Sequence, residues 1–122
     1  EARNDIRNLL VDHQPKEAAR RYASMLKDHP DFMLSADHQL DVASSLFAEG
    51  TFDEAAKAYE LFLAKHPHDR RVAETAMLLA VLYVRKTPSP ENARRILGLY
   101  GERFKTQGHA KLAEELQGEI PA

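Results

Sequence analysis

One spaced pattern recurs along this chain and constrains its fold more than any other feature. Ala18, Tyr22, Met25, Leu26 and Pro30 return as Ala55, Tyr59, Phe62, Leu63 and Pro67, each at an offset of 37. Glu17-Ala18-Ala19 likewise reads as Glu54-Ala55-Ala56, and a third copy starts at Ala93, 38 beyond Ala55, with Leu97 in the tyrosine position. Inside the first two copies the apolar residues fall at offsets of four, seven and eight from the alanine, so they share one face of a helix. Self-similarity at a period of about 20–50 residues implies stacked helical units, because a single unit cannot hide its apolar face alone. Small alanines let paired helices approach closely, and the aromatic four residues on fills the space beside them.

Punctuation between the copies sets the helix boundaries. Ile6, Leu9 and Leu10 predict a short opening helix over Asn4 to Val11. Pro15 suits a first helical position and opens a second helix that runs to about Asp28, where His29-Pro30 ends it. Asp31 to Asp37 reads as a connector, followed by a third helix on Leu40, Val42, Ala43, Leu46 and Phe47 that stops at Glu49-Gly50. Thr51 and Glu54 form a capping-box pattern for a fourth helix closed by His66-Pro67. Asp69 is placed to cap a fifth, from about Arg70 to Lys86, the most hydrophobic stretch and so the most buried. Ser89 and Pro90 start a sixth that carries Ala93, Ile96, Leu97, Tyr100 and Phe104, with Gly98 and Gly101 inside it. Gly108 separates a last amphipathic helix bearing Leu112, Ala113 and Leu116, placed to cover the apolar end of the stack. No segment alternates with period two, so the fold class is all-α.

Composition narrows the functional classes. The chain has 122 residues, 43% of them apolar and 30% charged, which suits one packed domain over 1–122. Without cysteine there is no disulfide framework, thiolate metal site or cysteine nucleophile, and either a reducing or an oxidising compartment fits. A net charge of −2 supplies no overall basic field for nucleic acid or anionic lipid. No apolar run approaches the roughly 18 residues of a membrane span. The first residue is Glu1 rather than methionine, which reads as a processed or excised piece.

The residues resemble the tetratricopeptide repeat family, whose pattern joins a first helix of form W-x2-L-G-x2-Y to a second with A-x3-F and a later proline. Val42-Ala43-x2-Leu46 followed by Ala55-x3-Tyr59 and Pro67 looks like one such unit. Leu79-Ala80-x2-Tyr83 with Ala93-x3-Leu97 is similar to another, and Ala18-x3-Tyr22 with Pro30 to the second half of a first. The units span about 4–30, 35–67 and 70–105, with a capping helix at about 109–118. Their length of 37 or 38 exceeds the common form of about 34, the extra residues falling between units. That longer form is similar to repeats of bacterial outer-membrane assembly and Tol–Pal accessory proteins. The resemblance implies antiparallel helix hairpins stacked as a right-handed α-solenoid with a C-terminal cap. It also implies a concave groove, lined by leading helices, that binds peptide or protein.

By position that groove receives Leu40, Asp41, Ser44 and Phe47 from the third helix and Met77, Leu78, Val81 and Arg85 from the fifth. The basic and asparagine set with which some family members clamp a C-terminal carboxylate is not at these positions. Leu40 and Phe47 instead suit an apolar groove for an amphipathic or extended segment. The alternative is that the same residues are core, since apolar stripes usually mean burial.

Other features read as structural. His66-Pro67-His68 invites a metal, but His29-Pro30 holds the same repeat position, and no cluster supplies three or four ligands. The pairs Arg20-Arg21, Arg70-Arg71, Arg85-Lys86 and Arg94-Arg95 have acidic neighbours and no interleaved aromatics for nucleic acid. There is no glycine-rich phosphate loop and no nucleophile-elbow serine, so no enzyme and no cofactor are expected. The expectation is a non-catalytic interaction module with a protein or peptide partner, cytoplasmic or bacterial periplasmic. The alternative is a structural or self-associating domain of a larger protein, as a homo-oligomer or brace.

Overall fold

The computed structural model describes residues 1–121. Among them every regular element is helical: α1 Ala2–Val11, α2 Pro15–Asp28, α3 Ala36–Ala48, α4 Phe52–Lys65, α5 Val72–Val81, α6 Pro90–Leu99, α7 Gly101–Thr106 and α8 Ala110–Glu119. A π-helical turn, Leu82–Lys86, continues α5. The helices group into two compact units, the first ending at Lys65 and the second starting at His66.

In the first unit α1 packs on α2, α2 on α3, and α3 on α4. The recurrent residues behave alike here. Ala18 and Ala55 are fully buried, as are Tyr22 and, to 1% exposure, Tyr59. Their missing side-chain bulk brings the helices together, while burying each aromatic ring is worth about 1.5–3 kcal/mol. Phe62, Val42 and Ala43 complete the interior.

The turns of this unit show why its helices stop where they do. After α3, Gly50 adopts φ +80°, and the Gly50 and Thr51 amides donate to the carbonyls of Phe47 and Leu46 at 3.1 and 2.9 Å. This Schellman arrangement satisfies carbonyls that a helix end leaves bare. The end of α1 repeats it, with His13 and Gln14 donating to Leu10 and Leu9 at 3.1 and 2.8 Å. There the left-handed position, φ 59°, falls to His13 rather than to glycine. His29 closes α2 at φ −135°, ψ 81°, outside the helical region that the following proline disfavours.

A buried polar network joins the connector to three helices of this unit. Gln39 has no exposed surface. Its Oε1 accepts from the Leu34 amide at 3.0 Å, and its Nε2 donates to the Ala58 carbonyl at 2.9 Å. The Tyr22 hydroxyl, which in turn donates to the Phe32 carbonyl at 3.1 Å, takes the other Nε2 proton. A backbone donor on one side and a backbone acceptor on the other fix which end of the amide is which. Burial pushes the Tyr22 phenol above its ordinary pKa, with the Gln39 hydrogen bond opposing it. Outside the network, Arg3 lies over the Phe32 ring, 5.1 Å from its centre, and donates to the Met33 carbonyl at 2.9 Å.

In the second unit α5 packs against α6, α7 and α8. Val72, Ala73, Thr75, Ala76, Met77, Leu79 and Ala80 are buried, so α5 is hidden around most of its circumference, as its hydrophobicity predicts. Ile96, Phe104 and Leu116 meet in the same interior, each at most 1% exposed.

Several boundaries and caps depart from the sequence reading. Helix α3 starts at Ala36, inside the expected connector, because Ser35 already has the extended geometry of an N-cap. Asp69 does not cap α5 directly. Its Oδ1 accepts the Arg71 amide at 2.8 Å and the Arg71 Nε–H at 2.9 Å, while Oδ2 accepts from Nη2 at 3.0 Å. The Arg71 side chain and then its amide hold the Asp69 carboxyl well below the usual carboxylate range. Ser89 stands at the N-cap of α6, yet its hydroxyl accepts from Asn92 Nδ2 at 3.0 Å rather than from a backbone amide. The expected sixth helix breaks at Tyr100 (φ −107°, ψ 11°), flanked by Gly98 and Gly101, into α6 and α7. Two glycines there weaken the helix by about 1 kcal/mol each relative to alanine.

Candidate functional site

The eight groove candidates divide evenly between the two units. On α3, Gln39, Val42, Ala43 and Leu46 turn inward, all at most 3% exposed. Leu40, Asp41, Ser44 and Phe47 occupy the opposite side, Leu40 and Phe47 half-buried and Asp41 and Ser44 exposed. The Ser44 hydroxyl stands 3.4 Å from that of Tyr59 on α4. The Phe47 ring meets Phe52 edge-on, with centroids 5.8 Å apart and planes at 83°. This contact braces the turn between α3 and α4 and leaves part of the ring uncovered. Together the four make an accessible strip with an apolar residue at each end and polar groups between.

The four from the fifth helix are less available. Met77, expected in the groove, is 5% exposed and belongs to the core of its unit. Leu78 and Val81 are half-buried. Arg85 is exposed but engaged, donating from Nε and Nη2 to the two oxygens of Glu119 at 3.0 and 2.7 Å. That bidentate pair favours the charged form of each group, raising the Arg85 pKa and lowering that of Glu119, chiefly through the side-chain hydrogen bonds.

Each flagged basic pair has at least one member committed within the chain. Arg20 and Arg21 lie 3.3 and 3.8 Å from Glu17, with Asp5 3.9 Å from Arg21. Arg71 holds Asp69, Arg85 holds Glu119, and Arg94 donates to the Pro121 carbonyl at 2.7 Å. Among the described residues no three His, Cys, Asp or Glu side chains gather as a metal site, and no helix is long and apolar enough to cross a membrane.

Two surface clefts were not visible in the sequence. One of about 400 Å³ lies between α1 and α2 over Ile6 and Met25, with Asp5, Glu17, Arg20 and Arg21 at its rim. The other, about 310 Å³, opens beside α8 over Leu97 and Phe104. Both arise from helix pairing, which hydrophobic periodicity does not encode. In the first cleft acidic and basic groups face each other and neutralise the rim. What these surfaces offer is non-covalent contact: apolar area with polar edges. No family model matches the chain, and no curated protein or solved structure matches it.

Proposed function

We propose that this chain is a non-catalytic interaction module of tetratricopeptide type, an α-solenoid that binds a peptide or protein segment. The observation that carries this reading is the strip on α3. Leu40 and Phe47 remain partly uncovered on a helix whose inward side is sealed, and Asp41 and Ser44 between them offer hydrogen bonds. An amphipathic or extended segment uses such a strip through apolar anchors and polar edges. The equivalent burial of Ala18 with Ala55 and of Tyr22 with Tyr59 supports the repeat on which the reading rests. Those residues hold the helices together, which leaves recognition to the leading helix.

The test is panning a displayed random-peptide library against the wild-type protein, then measuring the enriched peptides on Phe47→Asp and Asp41→Lys. Enriched peptides are expected to lose binding to both variants while the far-ultraviolet helical signal stays unchanged. Peptides that bind Asp41→Lys and wild type equally would sink the α3 strip, and global unfolding of Phe47→Asp would assign Phe47 to the core. Self-association is the competing reading, supported by Leu99 on α6, whose side chain is 67% exposed. Light scattering decides between them, since a mass that rises with concentration belongs to self-association.

A further inference from the structure

Helix α8 packs on α5, α6 and α7, and it is held differently at its two ends. It begins after Gly108, which adopts φ +82°, with the His109 amide donating to the Phe104 carbonyl at 2.7 Å. Along its length only Leu116 is fully buried, with Leu112 and Ala113 half-buried. Its packing on α6 and α7 leaves a cleft lined by Leu97 and Phe104 beside Ala110, Ala113 and Gln117. The far end is held by arginine: Arg85 grips Glu119 with two bonds, and Arg94 donates to the Pro121 carbonyl.

A helix of 10 residues is too short to persist undocked, so its structure depends on these contacts. The ion pair is nearly half-exposed on both sides, with side-chain exposures of 41% and 42%, and is therefore open to screening by salt. We infer that α8 is a latched lid, hinged at Gly108 and held shut by the Arg85–Glu119 pair over the apolar Leu97–Phe104 cleft. The π-helical turn matters to the latch. Arg85 lies within this turn, where the wider π winding departs from the α-helical register of α5. Opening of the lid withdraws Leu116 and uncovers Leu97 and Phe104, while α6 stays packed on α5 through Ile96 and Ala93.

Hydrogen exchange followed by mass spectrometry on the full chain tests this, comparing wild type, Glu119→Lys and the double variant Arg85→Glu/Glu119→Lys. Lysine at the last position of a helix suits the helix dipole, so Glu119→Lys strengthens α8 in isolation and weakens only the latch. The expected result is several-fold faster exchange over 110–119 in Glu119→Lys, unchanged exchange over 90–99, and recovery in the double variant. Raising salt toward 1 M is expected to speed the same segment in wild type and to leave Glu119→Lys nearly unaltered. The inference is overturned if 110–119 exchanges alike in wild type and Glu119→Lys. It is equally overturned if 110–119 and 90–99 loosen together, or if the double variant stays as fast as the single one.

Discussion

Gln39 donates to the Tyr22 hydroxyl over 2.7 Å in the interior of the first unit, and both side chains are wholly removed from solvent. Every polar hydrogen of the Gln39 amide is used, and the Leu34 amide depends on Gln39 for its partner. Replacing Gln39 by leucine keeps the volume but leaves the buried Leu34 N–H without its bond, while the Ala58 carbonyl keeps its place in the α4 ladder. At about 1–3 kcal/mol for an orphaned buried group, Gln39→Leu is expected to cost about that much. Urea unfolding measures it, and a cost below about 1 kcal/mol would show that the network is dispensable.

Tyr22 links this network to pH. Its phenol is harder to ionise when folded, because burial outweighs the opposing bond from Gln39. A folded pKa above the unfolded value near 10 means stabilisation that is complete below about pH 10 and lost as pH rises through the folded pKa. Wild type should therefore lose stability above about pH 10 more steeply than Tyr22→Phe. Unfolding midpoints measured across that range check it; parallel curves would remove Tyr22 as the cause.

The end of α1 offers a stabilising change. His13 occupies the left-handed position that Gly50 and Gly108 fill elsewhere, and its side chain is exposed. The left-handed conformation costs an L-residue about 1–2 kcal/mol, which glycine avoids at some loss of chain entropy. His13→Gly is expected to gain about 0.5–1 kcal/mol. A lower melting temperature in His13→Gly would mean that the histidine ring makes a compensating contact.

The helices themselves were legible because their signals are local. Proline at Pro15 and Pro90, glycine at Gly50 and Gly108, and apolar spacing between them place seven expected helices close to where they lie. The break at Tyr100 had a local signal in Gly98 and Gly101, whereas no spacing in the sequence marks the π turn at Leu82–Lys86. Gln39 passed as a polar helix residue, although it shares a stripe with Val42, Ala43 and Leu46. A lone glutamine inside an apolar stripe is the signal that was available for the network.

Which side of the helix stays open was legible on α3 and less so on α5. An α3 strip can be read from spacing because the helix has one sealed side and one open side. Helix α5 is hydrophobic nearly all round, so spacing cannot tell Met77, which is buried, from Leu78, which is partly open. Arg85 finds Glu119 34 positions away, a pairing no short-range pattern announces.

A chain made of near-copies runs a risk that a unique sequence avoids. Helices α2 and α4 carry almost the same faces, so a folding chain can seat either one against α3 with similar apolar gain. The position 37 beyond Gln39 is Ala76, so the amide has no counterpart there. Tyr22 has one in Tyr59, but only the arrangement with α2, the Leu34 connector and α4 in their own places satisfies all of Gln39's bonds at once. An exchanged seating leaves a buried amide unpaired and is disfavoured for that reason. Gln39 thus acts as a proofreading mark, distinguishing two helices that shape alone would confuse.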